Sequence, residues 1–118
     1  MNKLIIILSL FICFYAEAGD TYPAIFYAAY NNDVGVANGY ILSGESIEIR
    51  DKQGRTPLLA SAEIGNKDVF IFLLENGADS KATVNDKSIC DIARTSEFCD
   101  IMKVFNKQRQ NRPAGWTR

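Results

Sequence analysis

The chain has 118 residues, 47% hydrophobic and 23% charged, which is room for one domain and the composition of a folded chain rather than a disordered one. A net charge of −1 gives no general attraction to nucleic acid or an anionic membrane, and no nucleic-acid partner is expected. With no histidine, serine triads and histidine-based acid–base chemistry are excluded, and three cysteines without a C-x-x-C pair leave no credible zinc site.

In chain order, Lys3 precedes an apolar stretch from Leu4 to Tyr15, broken only by Ser9, and Ala16-Glu17-Ala18 follows as an A-x-A cleavage site. The stretch is shorter than the roughly 20 apolar residues that span a bilayer. Residues 1–18 therefore read as a signal peptide rather than a buried helix of the domain. Leu10-Phe11-Ile12 lacks the small residue a lipidated Cys13 would need. The mature chain would begin near Gly19, exported and without a stable membrane anchor, and periplasmic given the bacterial look of the leader. Export leaves Cys90 and Cys99 as the only pair, in a compartment that permits disulfides.

A repeat governs the rest. Ile25 to Ala29 falls on Leu58 to Ala62 at an offset of 33, which also sets Asn32 on Gly65, Val36 on Val69 and Gly44 on Gly77. A third copy at an offset of 32 lays Cys90 to Arg94 on Leu58 to Ala62 and Val104-Phe105 on Phe72-Leu73. The central copy has the clearest local chemistry. Asp51 to Gly54 is a turn with Asp first and Gly fourth. Thr56 caps a helix with Pro57 at its first position, predicted from Pro57 to Ile64 and ended by Gly65. A second helix is predicted from Lys67 to Asn76, with Val69, Phe72 and Leu73 as its apolar stripe and Gly77 at its end.

Asp51-Lys52-Gln53-Gly54-Arg55-Thr56-Pro57-Leu58, followed by Leu73-Leu74-Glu75-Asn76-Gly77-Ala78-Asp79, resembles the ankyrin repeat almost position for position. The resemblance spans about Tyr22 to Phe105, with degenerate flanking copies as expected of caps. It implies an all-α fold, a short solenoid of about three helix-turn-helix units over residues 19–105. The basic segment 106–118 is then expected to trail as a disordered tail, the alternative being that Trp116 and its neighbouring arginines dock onto a partner or back onto the acidic body. One departure is Leu59, where the family usually has histidine; the inter-repeat hydrogen bonding of that histidine is missing, which predicts a less rigid stack.

The resemblance also implies function: ankyrin stacks bind proteins through their turn tips and the exposed side of the first helix of each unit. Carried over residue by residue, this selects Lys52, Gln53, Arg55, Glu63 and Ile64 in the central unit and Tyr30 and Asn31 in the first. In the third it selects Asn85 and Lys87, beside Val84, with Thr95 and Ser96 after the helix. On this expectation Ile64→Asp or Arg55→Glu removes binding and leaves helical content intact. Tyr22 and Tyr27 add aromatic surface, although Tyr27 could equally be core. Cys90 takes the leucine slot of the third copy and Cys99 starts the next helix. In ideal geometry those positions stand further apart than the roughly 7 Å a disulfide tolerates. The short, irregular helix and the exported setting favour a bond nonetheless.

Paired acids such as Glu45 with Glu48, or Asp86 with Asp91, fall at turn tips and helix starts, where acids serve as caps and solvated charge. No catalysis and no cofactor are expected, and the free protein is expected to be monomeric. Gly19 to Met102 carries seven basic and thirteen acidic residues, and Lys103 to Arg118 five basic and none acidic. An acidic body suits a basic partner surface. The chain is similar to small exported bacterial ankyrin proteins that act as immunity proteins beside effectors of type VI secretion, which implies a toxic enzyme as partner. The alternatives are an accessory protein supporting a periplasmic enzyme and a secreted factor binding a host protein.

Overall fold

A computed structural model describes residues 22–112; the expected signal peptide and the end of the tail lie outside them. Six helices follow one another: α1 (Ala24–Asn31), α2 (Val34–Leu42), α3 (Pro57–Ile64), α4 (Lys67–Glu75), α5 (Ile89–Ile92) and α6 (Ser96–Gln110). They pair as three helix-turn-helix units. In one layer α1 packs on α3 and α3 on α5; in the other α2 packs on α4 and α4 on α6. Among the described residues there is no strand, only an isolated antiparallel bridge between Val84 and Lys87.

Local chemistry sets the helix ends. The Thr56 hydroxyl accepts from the Leu59 N–H at 3.3 Å, with Pro57 at the first position, and α3 begins where predicted. Gly65 ends it at φ 99°, its N–H donating to the Ser61 carbonyl, a left-handed conformation a side chain would strain. Asp33 caps α2 by accepting from the Val36 N–H at 3.1 Å.

The central unit is covered on both sides and carries the largest share of the core. In α3, Leu58, Leu59, Ala60 and Ala62 are buried; in α4, Val69, Phe70, Leu73 and Leu74. The α4 stripe is thus rotated from the predicted one, taking in Phe70 and Leu74 and leaving Phe72 half-buried, because α4 meets α3, α2 and α6 rather than one neighbour. The outer units bury less: Ile25, Phe26, Ala28 and Ala29 in α1, but only Ala37 in α2, Ile89 in α5 and Phe98 in α6.

Other hydrogen bonds join the units in place of those a histidine would make. Asn66 Nδ2 donates to the Ala29 carbonyl at 2.7 Å, and Asn32 Oδ1 accepts from the Val69 N–H at 3.1 Å. The Arg94 N–H donates to the Ala62 carbonyl at 2.9 Å. Leu59 meanwhile is fully buried, so its position supplies packing instead of polar contacts.

The third unit departs most from its repeat register. The leucine slot was expected to bury Cys90, yet Cys90 is exposed and its neighbour Ile89 is buried. The cause is the shortness of α5, four residues closed at the start by Ser88 donating its N–H to Asp91 Oδ2 at 2.9 Å. A single turn brings Cys90 and Cys99 to a Cα separation of 4.8 Å, within disulfide reach, and the two are bonded. Helix α6 runs five residues past the expected boundary at Phe105, so 106–110 belong to the last helix rather than to a tail. Reducing the disulfide is expected to lower stability by about 2–3 kcal/mol, the loop-closure value for so short a loop. Denaturant midpoints with and without reductant measure this; coincident curves would show that packing alone holds α5 to α6.

Candidate functional site

Each later unit opens on a turn at the tip of the stack, the second tip ahead of α3 and the third ahead of α5. Asp51 opens the second tip, and its main chain pairs with Arg55 and Gly54, the latter at φ 80°. Its Oδ1 accepts from the N–H groups of Gln53 and Arg55 at 3.0 and 2.9 Å. Its Oδ2 accepts from Arg55 Nε at 3.0 Å and from the Tyr30 hydroxyl at 2.9 Å. The third tip is a two-residue hairpin in which Asn85 and Asp86 both take positive φ, between the mutually bonded Val84 and Lys87. Arg50 links the two tips, donating to the carbonyls of Gly54 and Thr83 at 2.6 and 2.8 Å.

Electrostatics around Asp51 follow from this crowding. Burial by itself would raise the Asp51 carboxyl, but the Arg55 N–H, the Tyr30 hydroxyl and the Arg55 guanidinium outweigh it and hold the group below the usual carboxylate range. Tyr30 is pushed up to about 12, first by burial and then by the carboxylate its hydroxyl faces. Arg55 closes the set: its guanidinium also reaches Glu63 Oε1 at 3.4 Å and lies 5.8 Å from the centre of the Tyr30 ring.

Between the second and third tips runs an open groove of about 440 Å³. Six of the twelve residues selected from sequence line it: Gln53, Arg55 and Glu63 from the second unit, Val84, Asn85 and Lys87 from the third. Val84 and Ile92 give it apolar lining and Asp91 a further carboxylate. Ser88, through its N–H and then its hydroxyl, with Lys87 beyond, holds Asp91 below the usual carboxylate range. The groove therefore presents charges of both signs around a small apolar patch.

Tyr30, Asn31, Lys52 and Ile64 do not line the groove. Tyr30 is half-buried with its hydroxyl bonded to Asp51, and Asn31 turns its amide back to the Tyr27 carbonyl at 2.9 Å. Lys52 is exposed on the second tip, and Ile64, expected to face solvent, is half-buried at the end of α3. Arg55 needs the larger correction. It is 8% exposed instead of solvent-facing, held between Asp51 and Glu63. Arg55→Glu would set a third carboxylate between these two and so disturb folding, which disqualifies it as a binding test. Tyr27 is exposed rather than core.

Asp91 and Ile92 were missed because the α3 pattern, carried over at full length, pointed to Thr95 and Ser96. Helix α5 stops at Ile92 and Thr95 is the residue before α6, its side chain making no capping bond, so the groove-facing positions fall four residues earlier. The one available signal was Thr95-Ser96 itself, a capping pair where a longer helix should have continued. Among the described residues no group of three or more His, Cys, Asp or Glu is placed to hold a metal ion.

The family model described as "Ankyrin repeats (3 copies)" matches residues 7–111. No curated protein matches the chain.

Proposed function

The chain belongs to the ankyrin-repeat family, and from that premise we propose that it is an exported, non-catalytic module that grips one partner protein in the groove between its second and third tips. The observation that carries this is convergence: residues from two units, distant in sequence, meet around one apolar patch with Glu63, Asp91 and Lys87 at its edges. Mixed charge around an apolar patch suits a specific contact, since the charges choose the partner and the apolar patch holds it. The finer reading is an immunity protein of the periplasm that inhibits a toxic effector. Its support is the leader, the acidic body and the small size of a pure binder.

The test is capture of partners from the periplasmic fraction, followed by binding of the Lys87→Glu and Ile64→Asp variants. Lys87 is exposed and its main chain makes the hairpin bonds, so Lys87→Glu leaves helical content unchanged. It is expected to weaken the partner by about 10-fold, as reversal of a charge at the edge of a contact does. Ile64→Asp, outside the groove, is expected to weaken it less. If Lys87→Glu binds as the parent does, the groove is not the site. Recovery of a hydrolase that the protein inhibits supports the immunity reading; a resident enzyme whose activity persists or rises replaces it with an accessory role.

A further inference from the structure

Helix α6 packs against α4 and α5. Another of its sides carries an open groove of about 310 Å³ lined by Glu97, Asp100, Ile101, Val104, Phe105 and Gln108. These positions recur every three or four residues and form one stripe along the helix. Val104 is 58% exposed at the middle of the stripe, while Ile101 and Phe105, on one flank, are half-buried against the core. Asp100 and Lys107 lie on the other flank, both exposed, within about 20° of each other at about 100° per residue. They stand about 10 Å apart along the axis, too far to pair with each other. The stripe thus has an apolar centre, with an acid one turn before Val104 and a base one turn after it.

We propose that this face binds a second copy of the chain, α6 against α6 and antiparallel, about a two-fold axis passing between residues 103 and 104. In a two-fold contact one patch meets itself, and an axis across the helices lays each flank on the same flank of the second copy. Each Asp100 then stands level with the second copy's Lys107, which makes two ion pairs. Each Phe105 comes within about 2 Å, along the axis, of the level of the second copy's Ile101. The two Val104 side chains meet beside the axis. Glu97 already has a partner in Lys67 at 2.6 Å, and Lys103 lies about 100° round the helix from Val104, outside the stripe. This register therefore sets no like charges of the stripe face to face. The contact is one helix wide, smaller than a standard interface, so the pairing is expected to be weak, with a Kd of about 100 µM. It replaces the monomer expected from sequence, and it shares no lining residue with the groove between the tips.

Sedimentation velocity of the purified protein, from about 10 µM to about 0.5 mM, tests this. A monomer–dimer equilibrium is expected, weakened by added salt because the ion pairs lie at the surface. Asp100→Lys and Lys107→Asp, both at exposed positions, should each weaken pairing about 10-fold, since one change acts at both ends of a symmetric contact. An equimolar mixture of the two variants should pair as the parent does, because every reversed charge then meets an opposite one. Lys87→Glu, in the tip groove, should leave pairing unchanged. A single monomeric species at about 0.5 mM, about five times the expected Kd, overturns the proposal. So does a dimer that neither variant weakens, or one that the mixture fails to restore. A dimer that Lys87→Glu disrupts would place the contact on the tips and overturn it equally. Should either charge variant lose helical content, Val104→Asp decides by the same readout: it should abolish pairing, and a dimer as tight as the parent's overturns the proposal.

Discussion

Asp51→Ala is expected to cost about 3–5 kcal/mol, the loss typical of removing one partner from a buried ion pair. The Asp51 side chain has no solvent exposure and accepts four hydrogen bonds, two from the main chain of its own tip, one from Arg55 and one from Tyr30. Without it, the buried Arg55 side chain keeps only Glu63 as counter-charge, at 3.4 Å. Asp51→Asn keeps the shape but loses the charge, and should fall between the parent and alanine. The measurement is a denaturant midpoint for each variant; a loss under about 1 kcal/mol for alanine would show that the tip is held by packing, as an exposed ion pair would predict.

The same network fixes how stability varies with pH. Asp51 titrates below its ordinary value, so its contribution is complete above the unfolded carboxyl value near 4 and is lost as pH falls through the lower folded value. Tyr30 is raised from 10.0 to about 12, so its contribution is complete below pH 10 and is lost as pH rises from there to about 12. Midpoints measured across pH should therefore fall at both ends. In Asp51→Asn the acid limb should be shallower, because that carboxyl no longer titrates.

Phe70→Ala is expected to cost about 3–5 kcal/mol, the usual range for emptying a buried aromatic site. Phe70 is fully buried in α4 and meets Phe98 of α6 edge to face, ring centres 5.0 Å apart. It is an apolar link to a unit whose own buried apolar residues in α5 and α6 are only Ile89 and Phe98. Against a total stability of about 5–15 kcal/mol for a typical domain, such a loss leaves little. It should also uncouple the third unit, since each unit of a stack relies on its neighbour's interface. Thermal unfolding should then broaden or divide. Leu42→Ala serves as control: Leu42 is 77% exposed, and its loss should stay within about 0.5 kcal/mol. A Phe70→Ala midpoint close to that of the control would mean the third unit is held by the disulfide and not by the core.

Both predictions show where reading the sequence was sufficient and where it was not. The bounds of α3 were legible because Thr56, Pro57 and Gly65 act on the main chain within one helical turn, through a cap, a fixed φ and a left-handed end. The repeat, and with it the all-α architecture, was legible because apolar residues and glycines recur together at one period. Most of the lining of the candidate groove was also legible, since tip positions are set by the same local turns.

What neighbouring units do to a side chain was not legible. Arg55 is buried because Tyr30 and Asp51, 21 residues apart, meet beside it, and no local pattern announces that meeting. The α4 stripe turned toward Phe70 and Leu74 because helices from both neighbouring units pack on it. Cys90 lies exposed, and within reach of Cys99, because α5 is one turn long. By itself the sequence determined the repeat, the α3 caps and the tip turns, all of them interactions between residues close in the chain. Only the tertiary structure decided which polar side chains are spent on the stack and which remain to line the groove, because burial is set by neighbours 20 or more residues away, and those are chosen by packing.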